Sequence, residues 1–291
     1  MKRILLPALL ACCCACASAE PPKPLLWKVS DADNHIYLLG SFHLLKPGDY
    51  PLAAQVDLAF ADSESLLMEM SAKEMNDPAL VTSMANAARL QPGKTLQQLL
   101  PTATFEQLEA YAAKRHLAMA DLQAFEPWFV SLQITITEMQ RLGLDPGLGL
   151  DQHFASLATK AGKPVAGLET GAEQIALFDT MTAKEQQQSL QDTLDDLDDL
   201  EVDVGRVHAL WRAGDGRGLY HEMGQEMKVK YPQLYQRICV DRNNSWMPRL
   251  QALLDDSNKD DTLVVVGALH LLGNDGVVTR LKARGYKVER L

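Results

Sequence analysis

Hydrophobic and polar positions follow two rhythms along this chain. Leu25 to Ser30, Ile36 to Leu39, Leu66 to Met70, Val165 to Glu169 and Leu263 to Val266 are short apolar runs of strand length. Asp31-Ala32-Asp33-Asn34 is turn chemistry between the first two and predicts a hairpin. Between the runs the apolar residues fall at helical spacing: Leu52, Val56, Ala59 and Phe60, then Phe154, Leu157, Ala158 and Ala161, the latter closed by Gly162 and Pro164. Strands alternating with helices predict an α/β fold with a mixed, largely parallel central sheet flanked by helices.

The alternation lapses from Asp77 to about Leu142, where several helices follow one another with no strand-like run. Thr102 to Leu117 and Glu126 to Leu142 are the clearest, with Pro127 suited to a first helical turn. Trp128, Phe129 and Leu132 read as core. Thr182 to Glu185 fits a capping box ahead of Leu190, Leu194, Leu197 and Leu200. Tyr231 to about Leu254 reads as a long helix interrupted at Arg242-Asn243. A helix through Val277, Val278 and Leu281, a cap at Gly285 and a strand from Tyr286 to Leu291 close the chain. With no repeat or low-complexity linker, residues 20–291 read as a single domain carrying a helical insertion at about 77–142.

Residues 1–19 change the picture of the N-terminus. Lys2 and Arg3 precede an apolar stretch from Ile4 to Ala17, and Ala17-Ser18-Ala19 offers a cleavage site: a signal peptide, expected to export the protein, to the periplasm in a bacterium. Leu9-Leu10-Ala11-Cys12 allows an alternative lipoprotein cleavage with Cys12 as the lipidated residue. Either way no transmembrane helix is expected after processing. Four of the five cysteines lie in this leader, so with cleavage at Ala19 only Cys239 remains, a small core residue within an apolar helical pattern. The net charge of −10 argues against nucleic acid as a partner. The acids Asp192, Asp195, Asp196, Asp198 and Asp199 lack the spacing of a calcium loop and read as a solvated helix face.

The candidate chemistry sits where strands end. Gly40-Ser41-Phe42-His43 and Gly267-Ala268-Leu269-His270 each follow an apolar run, and adjacent parallel strands would bring both imidazoles to one end of the sheet. Glu69 breaks the next run with a carboxylate, costly to bury unless paired or bound to a metal. Glu169 ends a further run, where it could equally open the following helix. Two imidazoles and a carboxylate leave positions open for water and substrate on a divalent metal. Glu69 would then be a ligand or the general base. Arg242 would stabilise developing negative charge, and Glu169 would orient an imidazole. No HExxH motif occurs, which excludes thermolysin-like geometry.

Taken together, these segments resemble the TraB/PrgY/GumN family, which is related to the Tiki metalloproteases. The resemblance covers nearly the whole chain after the leader. It is carried by Leu26-Trp27-Lys28-Val29, both Gly-x-x-His motifs, Glu69, Gly162-Lys163-Pro164-Val165, Gly167-Leu168-Glu169-Thr170, Arg242-Asn243 and Gly285-Tyr286-Lys287-Val288. Ser41 stands where threonine is commoner. The resemblance implies a fold like that of the erythromycin esterases and the haem-binding ChaN proteins. It also implies a divalent-metal-dependent peptidase with His43, His270 and Glu69 in the active site and Mn, Co or Zn as the metal. A peptide or small molecule would be the substrate. The alternative is a non-catalytic envelope protein binding haem, a metal or a signalling peptide. A structural role in polysaccharide export is a third reading with little support.

Overall fold

A computed structural model describes residues 20–256 and 260–291. The expected leader at 1–19, with Cys12, lies outside them. Six strands form one sheet: β1 (Leu26–Ser30), β2 (His35–Ser41), β3 (Ser65–Met70), β4 (Val165–Glu169), β5 (Thr262–Gly267) and β6 (Lys287–Arg290), in the order β4-β3-β5-β2-β1-β6. The pairs β4-β3, β3-β5 and β5-β2 are parallel; β1 pairs antiparallel with β2 as the expected hairpin, and with β6. The fold is therefore mixed α/β with a largely parallel sheet.

Period-two alternation sends the two faces of each strand to different layers. Leu39, Met68, Leu263 and Val265 pack under α1 (Ala54–Asp62), as does Phe154 of a later helix. Leu38, Leu67, Val264 and Val266 face the other way, against Trp246, Met247 and Leu281. All four β5 residues Leu263 to Val266 are at most 1% exposed, which explains their unbroken apolar run. Each such fully buried side chain contributes about 1.5–3 kcal/mol of transfer free energy, before chain entropy is subtracted.

Residues 77–142 contain no strand among those described. Their main helices are α2 (Thr102–Arg115) and α3 (Pro127–Arg141), with Pro127 at the first turn as expected. α4 (Leu150–Ala161) ends in a left-handed Gly162 and leads into β4, which is followed by α5 (Gly171–Asp179). The helical layer reaches beyond residue 142, because Leu190 and Leu194 of α6 (Ala183–Asp195) complete the core of α2 and α3. The acidic run on and after α6 is mostly exposed, a solvated face. Among the described residues no helix is long and apolar enough to cross a membrane.

The expected long helix ending at Leu254 is assembled from a short turn (Pro232–Tyr235), a π-helical segment (Gln236–Asp241) and α7 (Arg242–Leu254). The π segment ends immediately before Arg242. Such widened turns alter the facing of whatever follows, and they recur at functional sites. A short helix α8 (Ala268–Leu271) follows β5 directly, and α9 (Val277–Ala283) precedes β6.

Candidate active site at the carboxyl end of the sheet

β2 and β5 are adjacent and parallel, with Gly40 opposite Val266 and Ser41 opposite Gly267. Both Gly-x-x-His segments therefore leave the same end of the sheet. His43 lies in the loop after β2, and His270 in α8. A Cβ on Gly40 would press on Leu25 and Ala268 at 3.1–3.2 Å, so this glycine lets the start of α8 settle against β2. Although β5 separates β3 from β2, Glu69 of β3 reaches the same place, because its Oε1 accepts from the backbone N–H of Gly267 at 2.7 Å.

Gly267 is the centre of the arrangement. A Cβ there would lie 3.2 Å from Glu69 Oε1, 3.4 Å from His43 Nε2 and 3.5 Å from His270 Cδ2. The absent methyl leaves a small space onto which a carboxylate oxygen and two imidazole rings converge.

The rings are held differently. His43 Nδ1 lies 3.3 Å from Asp151 Oδ1, which also accepts from Ser41 Oγ at 3.3 Å. Half of the His43 side chain is exposed, facing the cleft, and its Nε2 is turned to Gly267. Partial desolvation at the cleft wall and the Arg242 charge oppose its protonation, but the hydrogen bond and charge of Asp151, with the charge of Glu69, outweigh them and raise its pKa to about 9. The loop is stitched to the segment before α4 by paired backbone bonds between Leu45 and Asp145, and by Leu150 N–H donating to Phe42 O.

His270 is buried, and its tautomer follows from its neighbours. Its Nε2 lies 3.0 Å from Arg242 Nη1, which can only donate. Nδ1 therefore carries the proton and donates to Asn243 Oδ1 at 2.8 Å. Asn243 cannot be flipped, since its Nδ2 donates to the carbonyls of His270 and Asp275 at 3.2 and 2.9 Å. Burial, helped by the nearby Arg242 and His43 charges, overrides Glu69 and lowers the His270 pKa to about 4.

Arg242 ties the acids together. Its Nη2 donates to Glu69 Oε2 at 2.6 Å and to Glu169 Oε1, and its Nε to Glu169 Oε2 at 3.0 Å. The guanidinium lies 4.8 Å above the Trp246 ring, whose Nε1–H donates to Glu169 at 3.3 Å. Burial alone would raise the Glu69 pKa, but His270, Arg242, His43 and the Gly267 N–H hold it at about 2. Glu69 is thus a carboxylate at any neutral pH, with very little appetite for protons.

Glu169 was expected to orient an imidazole. It grips Arg242, Trp246 and Gln174 instead, and the imidazoles are held by Asp151 and Asn243. Sequence reasoning missed both: an aspartate in the first turn of α4 reads as an ordinary helix-dipole residue, and Asn243 stands in the shadow of Arg242. Cys239 is 1% exposed and burial raises its thiol pKa to about 12, as befits a core residue.

His43 Nε2 and Glu69 Oε1 both face the cradle that a Cβ on Gly267 would fill, and they are donor types that a divalent cation takes. His270 Nε2 lies 4.0 Å from Glu69 Oε1 and joins that set only by exchanging its contact with Arg242. Among the described residues the three donors that already lie within 4.8 Å of one another are those of His35, Asp62 and Asp261, and not those of His43, Glu69 and His270. The His35 group lies at the opposite end of the β2–β5 pair, roughly 20 Å away at about 3.3 Å per strand residue.

Fold and site together define a mixed α/β protein with a His/Glu/Arg centre at the carboxyl end of a parallel sheet. The chain belongs to the TraB/PrgY/gumN family, whose model matches residues 25–290. It is similar to the uncharacterized protein YbaP of Escherichia coli K12, 22% identical over 86% of this chain and 89% of that one. It is also similar to the metalloprotease TIKI2 of Xenopus tropicalis, 23% identical over 94% of this chain and 60% of that one. No solved structure matches.

Proposed function

We propose that the protein is an exported, metal-dependent hydrolase of peptidase type, with His43, Glu69 and His270 as metal ligands. The observation that carries this is the convergence of His43 Nε2, Glu69 Oε1 and the His270 ring on the space at Gly267, beside an open cleft. The similarity to a metalloprotease supports it. A divalent cation held there would polarise a carbonyl and lower the pKa of water.

This chain's own residues supply the rest. With a pKa of about 2, Glu69 suits a ligand better than a general base, whose pKa should lie near the operating pH. Asp151 holds the His43 ring with Nε2 toward the cleft, and Asn243 holds His270 in the Nδ1–H tautomer that leaves Nε2 unprotonated. Arg242, fixed by Glu169 and Trp246 behind Glu69, adds a permanent buried positive charge that would offset developing negative charge in the cleft through space rather than by direct contact. The expected leader makes the periplasm the proposed place of action.

The test is to strip the purified protein of metal and restore Mn²⁺, Co²⁺ or Zn²⁺ over a peptide and ester library. Metal-restored cleavage that disappears in the His43→Ala/His270→Ala double variant is expected; cleavage unchanged in that variant overturns the reading. A peptide retained intact would instead favour non-catalytic binding, and a haem band in the absorbance spectrum would point to a haem protein.

A further inference from the structure

The cleft beside His43 has a volume of about 430 Å³, within the range of small-ligand sites. Its walls are chemically one-sided. Leu44, Met70, Met75, Ile136 and Pro146 form an apolar flank, all partly or fully exposed rather than sealed in the core. They come from five separate places: the His43 loop, the end of β3, the short helix after it, α3 and the turn before α4. Two of them are methionines, whose flexible thioethers adapt to apolar groups of different shape.

The polar flank is His43, Glu69, Asp151, Gln152 and Gln174. No lysine or arginine lines the cleft among the described residues, and Arg242 lies behind Glu69 rather than in the lining. Besides His43, already paired with Asp151, the lining offers an anionic group no cation to pair with. Gln174 is already engaged by Glu169 and Glu69. Gln152 makes no side-chain hydrogen bond among the described residues, leaving one amide able both to donate and to accept. That pairing suits a peptide backbone, whereas an acyl chain would leave it unused.

We propose that the cleft selects peptide segments with uncharged apolar side chains next to the bond presented to His43, and rejects acidic ones. This rests on the cleft being the substrate site of the proposed hydrolase. Ile136 is the specificity-determining position most open to test, because it is partly exposed on α3 and outside the main core.

The experiment uses full-length protein in EDTA, so that binding is read without turnover. An equimolar pool of acetylated, amidated hexapeptides, Gly-Gly-X-X-Gly-Gly with X as leucine, methionine, alanine, lysine or glutamate, is equilibrated and retention is read by mass spectrometry. Leucine and methionine peptides should be retained at least about ten-fold over glutamate peptides, the scale expected from burying an apolar side chain. Ile136→Lys, with its melting temperature checked against the parent, should lose that preference and gain glutamate peptides by about ten-fold. Equal retention of acidic and apolar peptides overturns the inference. Retention of octanamide with no peptide retained overturns the peptide assignment. Metal-restored cleavage without any apolar preference sinks this inference alone. Apolar retention without cleavage under any metal sinks the hydrolase and leaves the binding preference standing.

Discussion

The two ends of the β2–β5 pair carry the same ingredients and put them to different use. At the amino end His35 lies between two carboxylates, Asp62 at 3.2 Å from Nε2 and Asp261 at 2.9 Å from Nδ1, with Tyr37 donating to Asp62 at 2.7 Å. At the carboxyl end His43 leans on Asp151 with one nitrogen and presents the other to the space at Gly267. In the first group the donors are turned on one another, and Asp62 is half in solvent. In the second, Asp151 holds His43 from behind so that its Nε2 is left over, while Glu69 Oε1 accepts from the Gly267 N–H and His270 Nε2 meets Arg242. In the His35 group both ring nitrogens are already engaged by carboxylates, although its three donors lie within 4.8 Å of one another. What separates the two is whether packing leaves a donor atom facing empty space.

The largest effect should come from breaking the network behind that space. Arg242→Met removes the cation shared by Glu69 and Glu169, both largely buried. Loss of one partner of such a cluster costs about 3–5 kcal/mol, read as a shift of the urea midpoint at constant slope. A loss under 1 kcal/mol would mean the network is no more rigid than its counterpart at the amino end.

Next in size is Gly267→Ala. The added methyl would press on Glu69 Oε1 and His43 Nε2, and should weaken metal affinity by roughly 10–100-fold, the range seen for disturbed metal surroundings. Calorimetry with Mn²⁺ or Zn²⁺ measures it, and the same titration on His35→Gln should be unchanged. If the His35 variant abolishes binding while Gly267→Ala does not, the metal belongs at the amino end.

Proton linkage sharpens the same contrast. His43, with a pKa of about 9, carries a proton at neutral pH that a metal on Nε2 must expel, whereas His270, at about 4, has none to give. Metal binding at pH 7 should release about one proton, read from heats in buffers of different ionisation enthalpy. Apparent affinity should rise roughly ten-fold per pH unit toward pH 9. Release of two protons would contradict the assigned state of His270.

The metal-free protein should follow the signs of these shifts. The raised His43 contributes stability in full below 6.5, lost as pH rises through about 9. The lowered His270 contributes above 6.5, lost as pH falls through about 4, and the lowered Glu69 above 4.5, lost as pH falls toward 2. Stability should therefore peak near pH 6.5 in a denaturant series. A monotonic profile between pH 4 and 9 would show these groups uncoupled from folding.

The smallest effect is expected from His35→Gln, at or below about 1 kcal/mol, because the glutamine amide can keep a hydrogen bond to Asp261 and Asp62 is half exposed.

Strand runs, the hairpin turn and the two Gly-x-x-His motifs were legible because burial on a sheet imposes a period of two, and because a histidine after an apolar strand is a local pattern. Glu69 stood out for the same reason, as a charge in an apolar run. Those features depend on neighbours in the chain, so the sequence alone determined the α/β class and the main candidates. The insertion of β5 between β3 and β2, the grip of Glu169 on Arg242, and the holding of His43 by Asp151 and His270 by Asn243 join residues as much as 226 positions apart. Nothing in local spacing marks such partners. The tertiary structure decided which partner each imidazole nitrogen meets and which oxygen of Glu69 faces Gly267. Hydrogen-bond capacity is settled only when every donor and acceptor brought together by the fold competes for the same few atoms.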